Sequence, residues 1–477
     1  MKATNIDNEG KQRKLKDLVP GNCVFPFKYR RKDVMTCQNK KDGKWCATSV
    51  DETGKMKTWG FCETKKSKVL PQEKIINSKR GTKKQTRTKR TQKVHKPTSA
   101  ERNNVLSEIR KLGKTTNCAL FFSPDADLQF LGRGVANRVY LSCFNAECKR
   151  RVAVRLMSID NNLPYDKTHP NKLEMTAYSK FNSLLQKNIT QHLPYKIKNF
   201  QCTINELELS PIRDAITNYK TLYSYGDIKK KIDVLITEFC KYGNSKGFLK
   251  KNLESMSNLD LKIFIFQFMS GLVTLQYHIP GFKHNDIHSE NVLVGSYNLK
   301  DDSRAPNKYV KYVLFGQEFY VPFREYCVKI YDFDTMSSND IVNEKLNDDI
   351  YREVGVTREH NPVFDYHLGM NSMFKTTDFL PKHSEFKRFF ENQIPRRLRG
   401  DDNSYLYYAR LTNYYQTYDL QRTNFIPDDV KTPSEVLLTD TFFDEFRGKP
   451  EGAVIVDTID SKIPLFEQVR DLKWMFK

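Results

Sequence analysis

What the chain lacks already excludes several classes of protein. Met1 to Asn22 is polar and basic and offers a translocon no apolar run, which predicts a product not secreted by a signal peptide. Long uncharged apolar stretches are equally scarce. The best membrane candidate, residues 263–282, has no Asp, Glu, Lys or Arg but contains Gln267, Ser270, Gly271, Thr274, Gln276 and Pro280. That mixture suits a helix buried in a large domain, so no membrane span is expected. Acids are rare between Thr64 and Arg102, where 14 bases meet 2 acids. The first 63 residues hold 14 bases and 8 acids, so only +4 of the net +22 is left for the last 375 residues. The basicity lives at the front, and the body is near neutral. At 477 residues the chain has room for two or three domains.

What is there begins with cysteine. Four of the ten cysteines, Cys23, Cys37, Cys46 and Cys62, crowd into a short stretch too small to fold by core packing alone. Structural zinc sites bring close ligand pairs such as CxxC, whereas the smallest gap here is eight residues and no histidine is near. Disulfides are the better reading. The segment CVFPFKYRRKDVMTC, then KWC, then KTWGFC, resembles a fibronectin type II module. Cys23, Pro26-Phe27, Tyr29, Cys37, Trp45-Cys46 and Trp59-Gly60-Phe61-Cys62 carry the likeness. The resemblance implies the pairings Cys23–Cys46 and Cys37–Cys62 and an aromatic face of Tyr29, Trp45, Trp59 and Phe61. It leaves the module's ligand unknown, because Glu52 stands where the family has an aromatic. A stapled spacer without a ligand is the bland alternative.

Residues 64–104 follow, with KRGTKKQTRTKRTQKVHK at their centre. No apolar period runs through them, so they read as a disordered linker. Residues 64–102 could hold an anionic polymer or nucleic acid non-specifically, or act as a nuclear-import signal, since no aromatics are interleaved for base stacking.

The rest carries the chemistry. Leu131-Gly132-Arg133-Gly134 is flanked by β-prone runs and ends at Val139, the form of a tight strand turn whose backbone can approach phosphate. Arg151 to Met157, with Ala153 and Arg155, is a second strand, and Val234 to Cys240 a third, ending in a polar hinge and Gly243. His284-Asn285-Asp286-Ile287-His288-Ser289-Glu290-Asn291 sets a carboxylate and a carboxamide five residues apart just before a short strand. Phosphoryl transfer needs both: a base for the attacking hydroxyl and a neutral oxygen for a metal ion. Asp332-Phe333-Asp334 lies downstream, and Glu174 falls in a helical stretch, Pro170 to Gln186.

In this order these elements resemble a protein kinase: a Gly-rich loop, a VAIK-like strand, a hinge, an HxDxxxxN catalytic loop and a DFG-like turn. The resemblance implies an α+β fold, bilobal, with a β-rich N-lobe over residues 118–240 and a helical C-lobe over 241–477. A polar tail (1–19) and the stapled β module (20–63) would precede it. It implies ATP held by Leu131, Gly132, Gly134, Val139, Ala153, Arg155, Thr237, Glu238 and Cys240. Mg2+ (or Mn2+) would sit on Asn291 and Asp332. Asp286 becomes the catalytic base and Arg155–Glu174 the positioning ion pair. The Thr432-Pro433 segment is similar to the closing helix of such domains.

Several positions depart from the family. Arg155 replaces lysine, Asn137 the third loop glycine, Asn285 the catalytic-loop arginine and Asp334 the DFG glycine. No APE follows, and about forty residues, Val292 to Tyr331, separate the catalytic loop from Asp332. These features resemble haspin-type kinases and the divergent kinases of large DNA viruses. That implies a viral protein of the host cytoplasm or virion, or of the nucleus through its basic segment. An ATP-dependent serine/threonine kinase acting on protein hydroxyls is the leading expectation, because the arginine usual in tyrosine-kinase catalytic loops is absent from residues 286–291. A pseudokinase disabled at Arg155 and an adhesion or matrix-binding protein acting through the first module stand beside it.

Overall fold

The computed structural model describes residues 2–4, 21–22, 27–29, 32–34, 38–40, 43–51, 56–62, 118, 122, 127–133, 137–143, 151–208, 212–297, 307–347, 361–376, 381–394 and 430–464. The chain divides into two compact units, Met1–Thr91 and Gln92–Lys477.

In the first unit, short β-prone runs form β1 (Lys2–Thr4), β2 (Gly21–Asn22), β3 (Phe27–Tyr29), β4 (Lys32–Val34), β5 (Gln38–Lys40), β6 (Gly43–Val50) and β7 (Met56–Cys62). One sheet runs β2-β1-β7-β6-β5, and β3 pairs with β4. The polar tail expected over residues 1–19 therefore contributes a strand, β1, seated between β2 and β7. Main-chain groups can complete a sheet where side chains have no apolar face to bury. Trp45 lies opposite Phe61 and Cys46 opposite Gly60 in the β6–β7 register. Cys46 is fully buried and disulfide-bonded. Cys23 and Cys37, one partner in each expected pair, lie outside the described residues, as does the segment 64–104.

The second unit opens on an antiparallel sheet of β8 (Leu128–Arg133), β9 (Asn137–Cys143), β10 (Arg151–Asp160), β11 (Lys196–Thr203) and β12 (Ile228–Glu238), ordered β11-β12-β10-β9-β8. Strand alternation sorts its two faces. Val152, Val154 and Leu156 join Val234 and Ile236 in a smaller core, while Met157 and Leu235 join a larger one. Ala153, Arg155 and Thr237 share the parity of that second set, which turns them toward the larger core.

Two helices interrupt the sheet sequence, α1 (Pro170–Gln186) after β10 and α2 (Arg213–Ser224) after β11. The helix expected from Pro170 to Gln186 is present with those bounds. The α2 helix has no counterpart in the sequence reading. Its Ala215, Ile216 and Tyr219 close the smaller core. A disulfide, Cys118–Cys202, ties the chain ahead of β8 to β11, and Cys143 is disulfide-bonded as well.

Helices dominate the remainder: α3 (Ser245–Asn252), α4 (Asn258–His278), α5 (Phe364–Thr376), α6 (Ser384–Gln393) and α7 (Pro433–Thr439). The α4 helix covers most of the stretch weighed as a membrane candidate, and it is a core helix, buried from Leu261 to Gln276. Its polar groups have protein partners: Gln267 bonds the Tyr297 hydroxyl and the Val328 N–H, and Gln276 the Pro362 carbonyl. A capping box of Ser257 and Asp260 starts it, and another, Thr432 with Glu435, starts α7.

The long insert after the catalytic-loop motif is folded. A ribbon of β13 (Val292–Ser296) and β16 (Tyr326–Ile330) brings its two ends together. Between them β14 (Lys308–Leu314) and β15 (Gln317–Pro322) form a hairpin, and β17 (Val454–Asp460) pairs parallel with β14.

Candidate active site

The site is built from the end of α1 nearest the sheet. His169 caps α1, and Asn171 donates to the Ser158 carbonyl and the Asp233 carboxylate, pinning that end of the helix to β10 and β12. Glu174, one turn on, is fully buried against β10. Arg155 Nη1 meets Glu174 Oε1 at 2.6 Å, and Arg155 Nη2 meets Asp332 Oδ1 at 2.7 Å. The guanidinium also lies 5.5 Å from the Tyr331 ring centre. Burial works against its charge, but Asp332 and Glu174 more than offset that and hold its pKa well above the usual value. Burial pushes the Glu174 carboxyl upward and Arg155 opposes it. At 2.6 Å the charge-assisted bond from Arg155 favours the ionised form of Glu174.

The loop from His284 to Asn291 is fixed from below. The Asp365 carboxylate accepts the His284 N–H at 2.6 Å and the Asn285 N–H at 3.0 Å. Asn285 adopts φ 68°, a left-handed conformation asparagine tolerates, and donates to the Thr335 carbonyl and Ser337 Oγ. His284 bonds the Tyr331 carbonyl at 2.9 Å, and the Tyr331 N–H bonds the Asn291 carbonyl at 3.0 Å. The loop and the Asp332 turn are thus one assembly. Phe333 anchors it, fully buried with Phe181 and Tyr178 of α1 at 4.5 and 5.5 Å.

The Asp286 side chain is 38% exposed. Asn291 Nδ2 donates to its carbonyl at 2.8 Å and to its Oδ2 at 3.2 Å, and His288 Nε2 lies 3.7 Å from the same carboxylate. Burial, then the like charges of Asp332 and Asp334, push its carboxyl up to about 7, while Lys345 and Asn291 pull it down. Asp332 itself has φ 70°, strain of the kind stored at functional positions.

The structure thus brings Arg155, Glu174, Asp286, Asn291 and Asp332 together. Val139 pairs with Arg155, and Ala153 with Thr237, across the sheet. Gly132 lies opposite Val139 beside a register shift, with Leu131 exposed. Gly134 lies outside the described residues. Glu238 and Cys240 form the link into α3, but Glu238 turns its carboxylate inward and Cys240 is buried. Asp334, which the sequence places beside the metal position, is engaged by Lys345 at 3.0 Å. Sequence reasoning missed Lys345, Asp365 and Lys329. Only Lys329 left a signal, a cation inside the apolar run VKIYD.

A mixed α/β domain with these groups brought together is compatible with a kinase-like fold. Residues 23–62 match the fibronectin type II domain family. Two proteins of Acanthamoeba polyphaga mimivirus, each named "Putative serine/threonine-protein kinase", are similar to the chain. One is 25% identical over 290 residues, 59% of this chain and 60% of its own length. The other is 23% identical over 263 residues, 50% of this chain and 64% of its own length. The chain therefore spans less than two thirds of these relatives. The chain is thus similar to two proteins named as putative serine/threonine-protein kinases, and its residues 23–62 match the fibronectin type II domain family.

Proposed function

We propose that residues 118–477 form a bilobal, ATP-dependent serine/threonine protein kinase, with residues 118–240 as N-lobe and 241–477 as C-lobe. The observation that carries this reading is the convergence of Arg155, Glu174 and Asp332 with Asp286 and Asn291, joined through the Tyr331 N–H to Asn291 carbonyl bond. Asp286 would orient a serine or threonine hydroxyl and take its proton. Arg155, held by Glu174, would face the phosphates, and Thr237 to Cys240 would border the adenine.

The donor set fits a hard divalent cation such as Mg2+ or Mn2+. Asn291 spends its amide N–H groups on Asp286, which leaves its oxygen as the donor, and Asp332 adds a carboxylate. A bound cation would neutralise phosphate charge and reverse the like-charge part of the Asp286 shift. Protein substrates follow from the kinase reading, and residues 64–102 are proposed to hold anionic polymers. Disulfides in both units support residence in an oxidising setting such as a virion.

The pseudokinase reading has one observation in its favour: Arg155 already occupies an oxygen of Asp332. Labelled ATP, a divalent metal and a generic basic protein separate the two. Wild type should transfer phosphate and Asp286→Asn should lose about 10²–10⁴-fold of it. Equal transfer by both proteins would remove Asp286 from the mechanism, and ATP binding without transfer would establish the pseudokinase.

A further inference from the structure

Lys329 has no solvent exposure, yet it carries a charge that neither the catalytic loop nor the metal position uses. It lies on β16, three residues before Asp332. Its ammonium donates to the Leu193 carbonyl at 3.2 Å and to Glu238 Oε2 at 3.1 Å. The same carboxylate oxygen accepts the Tyr195 N–H at 3.2 Å, and the Glu238 N–H donates to the Tyr195 carbonyl at 2.8 Å. Gly295 makes room for this path. A Cβ there would come within 3.1 Å of Lys329 Cε and 3.3 Å of Cys240 Sγ.

One cation therefore joins three separate pieces of chain: the turn before β11, the end of β12 and the strand leading to Asp332. Packing does not demand it. A methionine would fill the same volume, whereas burying an ammonium costs several kcal/mol unless its partners are well placed. Beside it, Ile330 N–H bonds the His192 carbonyl at 2.9 Å, so the same turn is held to β16 by main chain as well. The consequence reaches the cleft. With its carboxylate drawn back onto Lys329 and Tyr195, position 238 offers an adenine only its main chain.

We propose that Lys329 is a positioning residue for nucleotide binding, holding the Glu238–Cys240 backbone in fixed register with the strand that carries Asp332. The inference rests on the nucleotide-cleft reading above. Adenosine, which has no phosphates, isolates the adenine end of the cleft from the metal end. Calorimetric titration of the full-length protein with adenosine should show Lys329→Met binding about tenfold more weakly than wild type. In turnover, KM for ATP should rise by a similar factor while kcat falls less than threefold. The double variant Lys329→Met/Glu238→Gln removes both charges and should recover the thermal midpoint but not the adenosine affinity.

A purely structural pair predicts otherwise. Adenosine affinity unchanged in Lys329→Met, or restored together with stability in the double variant, overturns the proposal while the nucleotide reading stands. If the single variant does not fold, the double variant carries the test. A double variant that also fails to fold overturns the proposal, because Lys329 would then hold the whole domain. Wild-type protein that binds neither adenosine nor ATP overturns the nucleotide reading and this inference with it.

Discussion

Arg155→Lys tests whether the arginine is an adaptation or a defect. In the structure the guanidinium uses two nitrogens for two carboxylates, 2.6 Å to Glu174 and 2.7 Å to Asp332. An ammonium is a point charge on a shorter reach and cannot reproduce that planar fork. Glu174 is fully buried whereas the Asp332 side chain is 24% exposed, so a lysine should stay with Glu174 and release Asp332 to water and metal. The lost contact is a charge-assisted hydrogen bond, worth about 1.5–3 kcal/mol. Arg155→Met is the control. It strands Glu174 without a cation, at a cost of about 3–5 kcal/mol. Urea unfolding should therefore rank wild type above Arg155→Lys and Arg155→Met last. If the cleft is shaped for arginine, phosphate transfer by Arg155→Lys should stay near wild type or fall. A gain of more than about tenfold in turnover would refute this reasoning, and it would mark the native arginine as the disabling change.

Two further outcomes follow from buried groups away from the cleft. Burial pushes the His192 ring down to about 4, against a Val328 carbonyl contact that favours its proton, with Lys329 adding to the depression. Its folded pKa lies below the unfolded value of about 6.5, so its share of stability is intact above 6.5 and is lost as pH falls toward 4. That share is about 3 kcal/mol, and His192→Gln should lose correspondingly less stability than wild type between pH 7 and pH 4.5 in urea titrations; parallel losses would dismiss it. Replacing Cys118 and Cys202 together by serine opens a loop with a sequence separation of 84 and should cost about 2–5 kcal/mol of unfolding free energy, read by the same titrations; an unchanged midpoint would mean the bond adds nothing.

Much of the cleft was legible in the sequence because its parts are local. His284 to Asn291 carries base and carboxamide within one short loop, and the Pro170 to Gln186 helix shows its own start signal, a proline at its first turn. What stayed hidden is long-range. Lys329 finds Leu193 136 positions away and Glu238 91 positions away, and no local pattern marks either. Asp365 fixes the catalytic loop from 81 residues downstream. The forty-residue insert showed only as a spacing, because its hairpin is completed by β17, which begins at Val454. A strand that pairs with residues so distant leaves only a short apolar run to be read.

The departures from the kinase pattern, taken with their partners, argue against decay. A site drifting without function tends to leave buried polar groups unmatched, because each substitution removes a partner that nothing then restores. Here Arg155 in place of lysine meets two carboxylates rather than one. Asn285 in place of arginine donates to Thr335 and Ser337, which ties the segment after Asp334 to the catalytic loop through neutral bonds. Asp334 in place of glycine brings a third acid toward Asp286, and Lys345 answers it at 3.0 Å. The Asn343 side chain places that lysine, donating to the Asp334 and Met336 carbonyls and accepting the Lys345 N–H. Arg155, Asn285 and Asp334 thus each meet partners that the family pattern does not require, and such pairs accumulate where the geometry of a site is still being held.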